Sequence, residues 1–270
     1  MKNFNYLIEN FFTNKDFLAP ASQIPGTLFS PLHFIFSATL LAIVICSSIY
    51  VGKRKHLIKP SFTIIWLLLV IWEFVIIFWE SVSGKIVGLD LKTNLSLYPC
   101  SLFLYTMPFA IWGKGNIRKM ACGSICTLGL IGGSINFLYP AIRLSSYSCI
   151  SFVGFHTFTF HAAMIFTVLV MQISGYHSYK DVHSRSDLFL PCIPTLLLSI
   201  PANIINYSSI QSDYMFFRGK FPLIATIFGS TNEVIITIVV YLFYIILPAF
   251  FYLPAYIKNK SRDTQIIEYA

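Results

Sequence analysis

The sequence predicts an all-α polytopic membrane protein with seven transmembrane helices, its N-terminus outside and its C-terminus in the cytoplasm. Hydrophobic residues fill 56% of the 270 positions, and the mean hydropathy is +0.71. Charged residues fill only 11%, against about a quarter in a soluble domain. Long apolar runs alternate with short basic clusters, which is a membrane topology pattern. This composition excludes a soluble enzyme, a disordered tail and a nucleic-acid-binding domain, although the pI is about 9.2.

A membrane-spanning helix needs about 20 mostly apolar residues, and seven stretches meet that requirement. We place them at 31–51, 61–80, 95–112, 120–139, 152–173, 188–205 and 232–256. The last apolar stretch, 221–257, would be about 55 Å long as one helix, which exceeds the bilayer core of about 30 Å. We therefore expect 221–228 to be a separate interfacial or re-entrant piece. We also expect Pro248 and Pro254 to kink or end the seventh helix.

The chain divides into an N-terminal segment, 1–30, a seven-helix domain, 31–257, and a cytoplasmic tail, 258–270. Segment 1–30 lacks the apolar core of a cleavable signal peptide. Its aromatic residues fit a short amphipathic helix at the outer interface. The loops after the first, third and fifth spans and the tail hold 12 of the 19 Lys and Arg residues. The excess predicts that these segments are cytoplasmic in a multi-pass protein of the cell membrane.

Strongly polar side chains inside the spans are rare and mark candidate functional sites. In this topology Glu73 lies near the midplane, and His161 lies about 15 Å below the outer surface. The other polar groups fall mostly in the outer half; they are Glu80, Asn136, His156, Asn203, Asn206, Asn232 and Glu233. We therefore expect a polar cavity that opens toward the outer leaflet. The alternative for each residue is a helix–helix hydrogen bond or an ordinary interfacial charge.

The cysteine and histidine spacings predict neither a metal site nor a cofactor. The six cysteines contain no CxxC pair, and the chain has no HxxxH or HExxH pattern. Most membrane cysteines are small apolar packing residues. A structural disulfide between Cys100 and Cys149, both on the predicted outer side, is one alternative.

Cys100 differs from the other cysteines because Pro99 starts a helix directly before it. Proline holds Tyr98 in an extended conformation and places Cys100 and Ser101 in the first turn of the third span. Unpaired N–H groups and the positive end of the helix favour a thiolate and an oxyanion there. A nucleophile at a helix start, with a buried histidine such as His161 on another helix, fits an acyl-transfer pair.

Five short segments carry a resemblance to a known family. They are SPLH at 30–33, LYPCSL at 97–102, FHAAM at 160–164, NY at 206–207 and DYMFF at 213–217. In their order and spacing the chain resembles the YwaF-like bacterial integral membrane proteins, which have seven predicted spans. It departs from that family at Tyr98 and Pro99, where a histidine usually precedes the cysteine, and at Asp213, where the family has asparagine.

The YwaF-like family is similar to an animal seven-helix acyltransferase that moves fatty acyl chains into ether phospholipids. More distantly, its architecture resembles membrane Thr–His hydrolases of fatty acid esters. The resemblance implies that Cys100 is a nucleophile and His161 its general base, with a phospholipid or lysolipid as substrate. A lysolipid alcohol or water would resolve an acyl thioester on Cys100, giving transfer or hydrolysis. Ser101, Tyr214 and the outer-half polar residues would support the site, and Asn203, Asn206 or Glu233 would orient His161.

Two other functions remain open at this point. A small-molecule or lipid binding or transport protein, without covalent chemistry, would need the same outward-facing polar cavity. A structural partner subunit would have less need for polar groups that converge at one depth. The sequence does not predict the oligomeric state.

Overall fold

The computed structural model describes residues 2–182, 184–229 and 231–268, and every regular element within these ranges is helical. The α-helices are α1 (Lys2–Glu9), α2 (Pro31–Gly52), α3 (Lys55–Ser83), α4 (Leu102–Trp112), α5 (Gly115–Ser124), α6 (Leu130–Leu138), α7 (Ala141–Leu144), α8 (Phe152–Ser174), α9 (Arg185–Phe189), α10 (Ile193–Asn206), α11 (Pro222–Phe228) and α12 (Glu233–Glu268). A π-helical turn, Ile125–Gly129, joins α5 to α6. The predicted all-α polytopic class is confirmed.

Among the residues that the structure describes, six helical segments are long and apolar enough to cross a membrane. They are Pro31–Gly52, Lys55–Ser83, Gly115–Leu144, Phe152–Ser174, Arg185–Asn206 and Glu233–Ser261. The third predicted span, 95–112, is instead the shorter apolar helix Pro99–Trp112. It starts later than predicted because Pro99, with no N–H group, opens the first turn and the residues before it form a loop. The apolar segments follow the predicted order, and the orientation in the membrane stays a prediction.

The last helix continues through both prolines that were expected to kink or end it. Pro248 and Pro254 do not end it, since both lie inside α12, which continues to Glu268. Spanning helices tolerate proline because neighbouring groups satisfy the freed carbonyls. At about 1.5 Å per residue, α12 is about 54 Å long and extends beyond a core of about 30 Å. The predicted separate piece before it is α11, which ends at Gly229 with a φ of 54°.

Serine caps fix where two helices beside the candidate site begin. The Ser30 hydroxyl accepts the His33 N–H at 3.2 Å, and Pro31 occupies the first position of α2. The Ser151 hydroxyl accepts the Gly154 N–H at 3.1 Å at the start of α8. Ser and Pro are the residues that these two positions favour. The SPLH segment therefore has a structural reason for its pattern.

Helix α8 is the central helix of the bundle. Of its most apolar window 72% is buried, against 17% in each of α2 and α3. Gly133 of α6 permits a close approach, since a Cβ there would lie 2.9 Å from Ile165 and 3.3 Å from the His161 carbonyl oxygen. This contact places the turn that carries His161 directly against α6.

The cysteines form no disulfide in this structure. Cys46, Cys100, Cys122, Cys126, Cys149 and Cys192 are all free thiols. The alternative of a Cys100–Cys149 disulfide is therefore not what the structure contains.

Candidate functional site

Cys100 lies in the 3₁₀ turn Pro99–Ser101 that leads into α4. Tyr98 is extended, with φ −83° and ψ 161°, as expected for a residue before proline. The Ser101 N–H donates to the Tyr98 carbonyl at 3.0 Å. The Cys100 thiol is thus half-buried in the first turn of this helical segment.

Glu73 of α3 lies at the centre of a polar cluster formed by three parts of the fold. The Ser96 hydroxyl donates to Oε1 of Glu73 at 2.7 Å, and Nε2 of His156 on α8 lies 3.2 Å from Oε2. The carboxylate also interacts electrostatically with the Cys100 thiol and the His161 ring. Glu73 therefore connects the segment before Cys100 to the helix that carries both histidines.

His161 is oriented by its own helix. Nδ1 of His161 lies 2.7 Å from the Thr157 carbonyl oxygen. Because a carbonyl can only accept, Nδ1 carries the hydrogen and donates, which leaves Nε2 as a proton acceptor. Thr157 thus occupies the orienting position that the sequence had suggested for Asn203, Asn206 or Glu233.

Cys100 precedes α4 and His161 lies on α8, and these two helices are in contact. The rings of Phe103 on α4 and Phe160 on α8 are 6.4 Å apart, which brings the two helices together one turn beyond Cys100. Among the described residues, no hydrogen bond joins the Cys100 thiol to the His161 ring. A side-chain movement is needed before a proton can pass directly between them.

Two further outer-half residues have different surroundings. Glu80 pairs with Arg143, which follows α6 in the chain. Glu80 and Glu73 are seven residues apart, so they share one face of α3 about 10 Å apart along the axis. Asn136 has a buried side-chain nitrogen without a hydrogen-bond partner, and Ser101 is buried beside Cys100.

The loop that follows α10 is anchored by Asn206 and Tyr214. The Asn206 side chain donates to the Tyr214 carbonyl at 2.8 Å and accepts the Tyr214 N–H at 2.7 Å. The Tyr214 hydroxyl donates to the Leu91 carbonyl and accepts the Leu95 N–H, each at 2.9 Å. Both anchoring side chains are fully buried. The loop therefore packs as an ordered part of the bundle.

An ion pair ties the same loop to α12. Arg218 donates from Nε and Nη2 to the two carboxylate oxygens of Glu233, at 2.8 and 3.0 Å. This bonding raises the pKa of Arg218 above its ordinary value. Burial raises the pKa of Asp213, whose carboxylate accepts the N–H groups of Arg218 and Lys220 at 2.7 Å.

The remaining predicted residues contact helix ends and neighbouring helices. The Asn232 side chain accepts the Val234 N–H at 2.8 Å at the start of α12. Asn203 donates to the Tyr241 hydroxyl at 2.6 Å, and that hydroxyl donates to Ser199 at 2.9 Å. These contacts join α10 to α12 and lie apart from the Glu73 cluster.

Tyr98 connects the anchored loop to the cysteine segment. Its ring lies 5.1 Å from the Tyr214 ring and 5.9 Å from the Phe216 ring. Met215 and Phe216 have φ values of 59° and 61°, a region that non-glycine residues seldom adopt. The DYMFF segment thus bends sharply to bring aromatic rings against the residue two positions before Cys100.

Comparison with known proteins places this architecture in a family. The sequence model of the TMEM164 family matches residues 28–257. This chain belongs to the TMEM164 family. No similar protein was found among curated proteins, and no similar chain among solved structures.

The match to the TMEM164 family covers every segment that contributes to the Glu73 cluster. Sequence reasoning placed Glu73 near the midplane but left it out of the candidate set. The signal was available, because a lone carboxylate inside an apolar helix needs a partner. What the sequence could not supply is the identity of that partner, His156, on a distant helix.

In this TMEM164-family protein the described residues contain no group of three His, Cys, Asp or Glu side chains that could hold a metal ion. The Glu73 carboxylate instead lies 3.2 Å from the His156 imidazole and acts electrostatically on the Cys100 thiol and the His161 imidazole. These groups can move a proton, present a nucleophile and hold a developing negative charge.

Proposed function

We propose that this multi-pass protein is a lipid acyltransferase or lipid hydrolase that works through an acyl thioester on Cys100. The observation that carries the proposal is the position of the Cys100 thiol. It lies in the helical turn Pro99–Ser101, and the segment before it contacts Glu73, whose carboxylate lies 3.2 Å from Nε2 of His156. The positive end of a helix favours a thiolate, whereas the Glu73 charge opposes it, so the thiol needs a general base to take its proton.

The proposed reaction begins with proton transfer from the Cys100 thiol to Nε2 of His161. The thiolate attacks the carbonyl carbon of a lipid ester, and the resulting oxyanion accepts the Cys100 N–H. The C–O bond then breaks, the acyl group remains on sulfur, and the leaving lipid oxygen takes the proton from His161.

Resolution of the thioester follows the same path in reverse. His161 removes a proton from the hydroxyl of a lysolipid, or from water, and the oxygen attacks the thioester carbonyl. The C–S bond breaks, and the thiolate regains the proton from His161. A lysolipid acceptor gives transfer, and water gives hydrolysis. No cofactor takes part in this scheme.

The missing contact between Cys100 and His161 defines one step of the proposal. Catalytic hydrogen bonds are often long in unliganded enzymes and shorten when substrate binds. The Thr157 carbonyl keeps His161 in the required tautomer. Substrate binding would therefore have to turn the Cys100 side chain toward Nε2.

The decisive experiment follows both lipid products and the mass of the Cys100 peptide. Purified protein is incubated with phospholipids that carry a labelled acyl chain, with and without lysophospholipid. We expect a thioester on Cys100 in the wild type, none in Cys100→Ala, and much slower formation in His161→Gln. Cys46→Ala removes an exposed thiol elsewhere and serves as the matched control.

The outcomes separate the possible functions. Product that forms only with lysophospholipid indicates a transferase, and free fatty acid without it indicates a hydrolase. Unchanged lipid turnover in both Cys100→Ala and His161→Gln would contradict the proposal. Saturable lipid binding without turnover or adduct would instead favour the binding or transport function.

A further inference from the structure

A narrow crevice begins at the turn that carries Cys100. It runs between the start of α4 and the π-helical turn that joins α5 to α6. Its lining residues are Pro99, Leu102, Phe103, Thr106, Ser124, Ile125 and Gly129. The gap between its walls is narrower than a water molecule, so side chains must shift before a ligand enters. From Pro99 to Thr106 it extends about 10 Å along the helix axis.

The π-turn Ile125–Gly129 forms one wall of this crevice. A π-turn inserts one residue into a helix and is frequent at functional sites. All five of its residues are buried. The extra residue interrupts the regular i→i−4 hydrogen bonding of the helix, which is destabilising. A π-turn next to the Cys100 segment is therefore a candidate functional feature.

Ser124 and Gly129 both show that this wall is packed incompletely. The Ser124 hydroxyl is buried without a hydrogen-bond partner, which is costly in an apolar interior. Gly129 is buried, yet a Cβ at that position would meet only Ile125 Cγ2, at 3.8 Å. Since protein interiors are normally close-packed, unused space beside a buried glycine is unusual.

We propose that this crevice holds the acyl chain of the lipid donor and that Gly129 sets the length of chain it accepts. The inference rests on the proposed function and names a part of the same site. The lining is mainly apolar, which suits an alkyl chain. In the predicted topology the crevice descends from the outer surface toward the bilayer centre, parallel to the lipid tails.

The first test measures entry of alkyl chains without requiring acyl transfer. Alkyl methanethiosulfonates transfer their alkylthio group to the Cys100 thiolate, forming a disulfide and releasing methanesulfinate. Methyl, hexyl and dodecyl reagents are compared by peptide mass spectrometry at Cys100. We expect Gly129→Leu to slow the dodecyl reaction by about tenfold or more, the effect of losing space in an apolar pocket. The methyl reaction should be unchanged.

Two variants separate blocked space from misfolding. Gly129→Ala adds one methyl group where the structure has room, and we expect a smaller effect in the same direction. Gly132→Ala adds the same methyl group one turn along, where it would meet only Met164 Cε, at 3.6 Å, outside the crevice. We expect this control to match the wild type with every reagent.

A second test compares hexanoyl, decanoyl and palmitoyl phospholipids as acyl donors. We expect Gly129→Leu to retain the hexanoyl donor and lose the palmitoyl donor. Absence of a wild-type thioester with every donor would contradict the proposed function, while the alkyl reagents still report on the crevice. Three results would each overturn the inference. The first is that Gly129→Leu slows the methyl and dodecyl reagents equally, and the second is that it slows neither. The third is that the dodecyl reagent does not react with the wild type.

Discussion

Nε2 of His156 lies 3.2 Å from Oε2 of Glu73 and so joins α8 to α3 inside an apolar bundle. The other carboxylate oxygen accepts the Ser96 hydroxyl at 2.7 Å. One carboxylate therefore links the central helix to the segment that leads to Cys100. Its charge acts on the thiol as well as on the imidazole.

Glu73→Gln removes this charge while an amide oxygen can still accept from Ser96. We expect Cys100 to react faster with a small alkylating reagent, because a negative charge beside a thiol disfavours the thiolate. The increase should be about fivefold, corresponding to about 1 kcal/mol of Coulomb energy. The rate is measured at fixed pH by mass spectrometry of the Cys100 peptide.

Glu80→Gln is the matched control for Glu73→Gln. It removes a carboxylate from the same face of α3, but its partner is Arg143. We expect its effect on Cys100 reactivity to be much smaller. Equal acceleration in the two variants would mean that the Glu73 cluster has no special relation to the thiol.

Gly133 and Gly132 are predicted to differ sharply when replaced by alanine. A Cβ at Gly133 would lie 2.9 Å from Ile165 and 3.3 Å from the His161 carbonyl, whereas one at Gly132 would meet only Met164 at 3.6 Å. Gly133→Ala should separate α6 from α8 and destabilise the protein by about 1–3 kcal/mol. Gly132→Ala should be neutral or slightly stabilising, because alanine favours a helix more than glycine does.

Thermal unfolding in detergent measures this difference. Because Gly133 touches the turn of His161, its variant should also lose lipid turnover. Similar melting temperatures for Gly133→Ala, Gly132→Ala and the wild type would contradict the proposed contact between α6 and α8.

Much of the fold could be predicted because apolar runs of about 20 residues leave few alternatives to spanning helices. Pro99 marked the start of the cysteine helix, and Ser30 with Pro31 marked the start of α2. Of the two outcomes predicted for Pro248 and Pro254, a kink or an end of the helix, the end does not occur, because neighbouring groups satisfy the freed carbonyls in a membrane helix.

The composition of the candidate site was harder to predict than the fold. Periodicity shows which residues lie in a span, but not which spans are neighbours. The pairing of Glu73 with His156 depends on α3 packing against α8, which is distant in sequence. Likewise, the mutual bonds of Asn206 and Tyr214 depend on a loop that turns through positive φ values at Met215 and Phe216. Local sequence patterns do not show that a loop folds back against an earlier helix.

Asn206 is predicted to contribute more to stability than Asn203, one turn earlier. Asn206→Ala would leave the buried N–H and carbonyl of Tyr214 without partners. We expect a loss of about 2–4 kcal/mol, since two buried polar groups become unsatisfied. Asn203→Ala loses a single bond to the Tyr241 hydroxyl and should cost about 1 kcal/mol.

Chemical unfolding followed by limited proteolysis of the 207–221 loop distinguishes the two asparagine variants. Asn206→Ala should expose the loop to protease, and Asn203→Ala should not. A smaller loss of stability in Asn206→Ala than in Asn203→Ala would show that the loop is held by other contacts, such as the Arg218–Glu233 pair.

His177 is predicted to make the stability of the protein depend on pH. It lies in the loop after α8, where Nε2 is 2.7 Å from the Tyr252 hydroxyl. The pKa of His177 is lowered from 6.5 to about 4, mainly by burial; Asp181 opposes this shift, and the cations Lys119 and Arg118 add to it. Between pH 6.5 and about 4 the unfolded chain therefore binds a proton that the folded protein does not.

It follows that the free energy of unfolding decreases as the pH falls through this window. His177→Gln cannot titrate but can still bond to the Tyr252 hydroxyl, so it should lose less stability on acidification. We expect the wild type to lose about 1–2 kcal/mol more than this variant between about pH 7 and pH 5. Thermal unfolding at several pH values measures the difference, and His56→Gln, at an exposed histidine on α3, supplies the control. If His177→Gln and the wild type lost stability in parallel over this range, the buried neutral state assigned to His177 would be wrong.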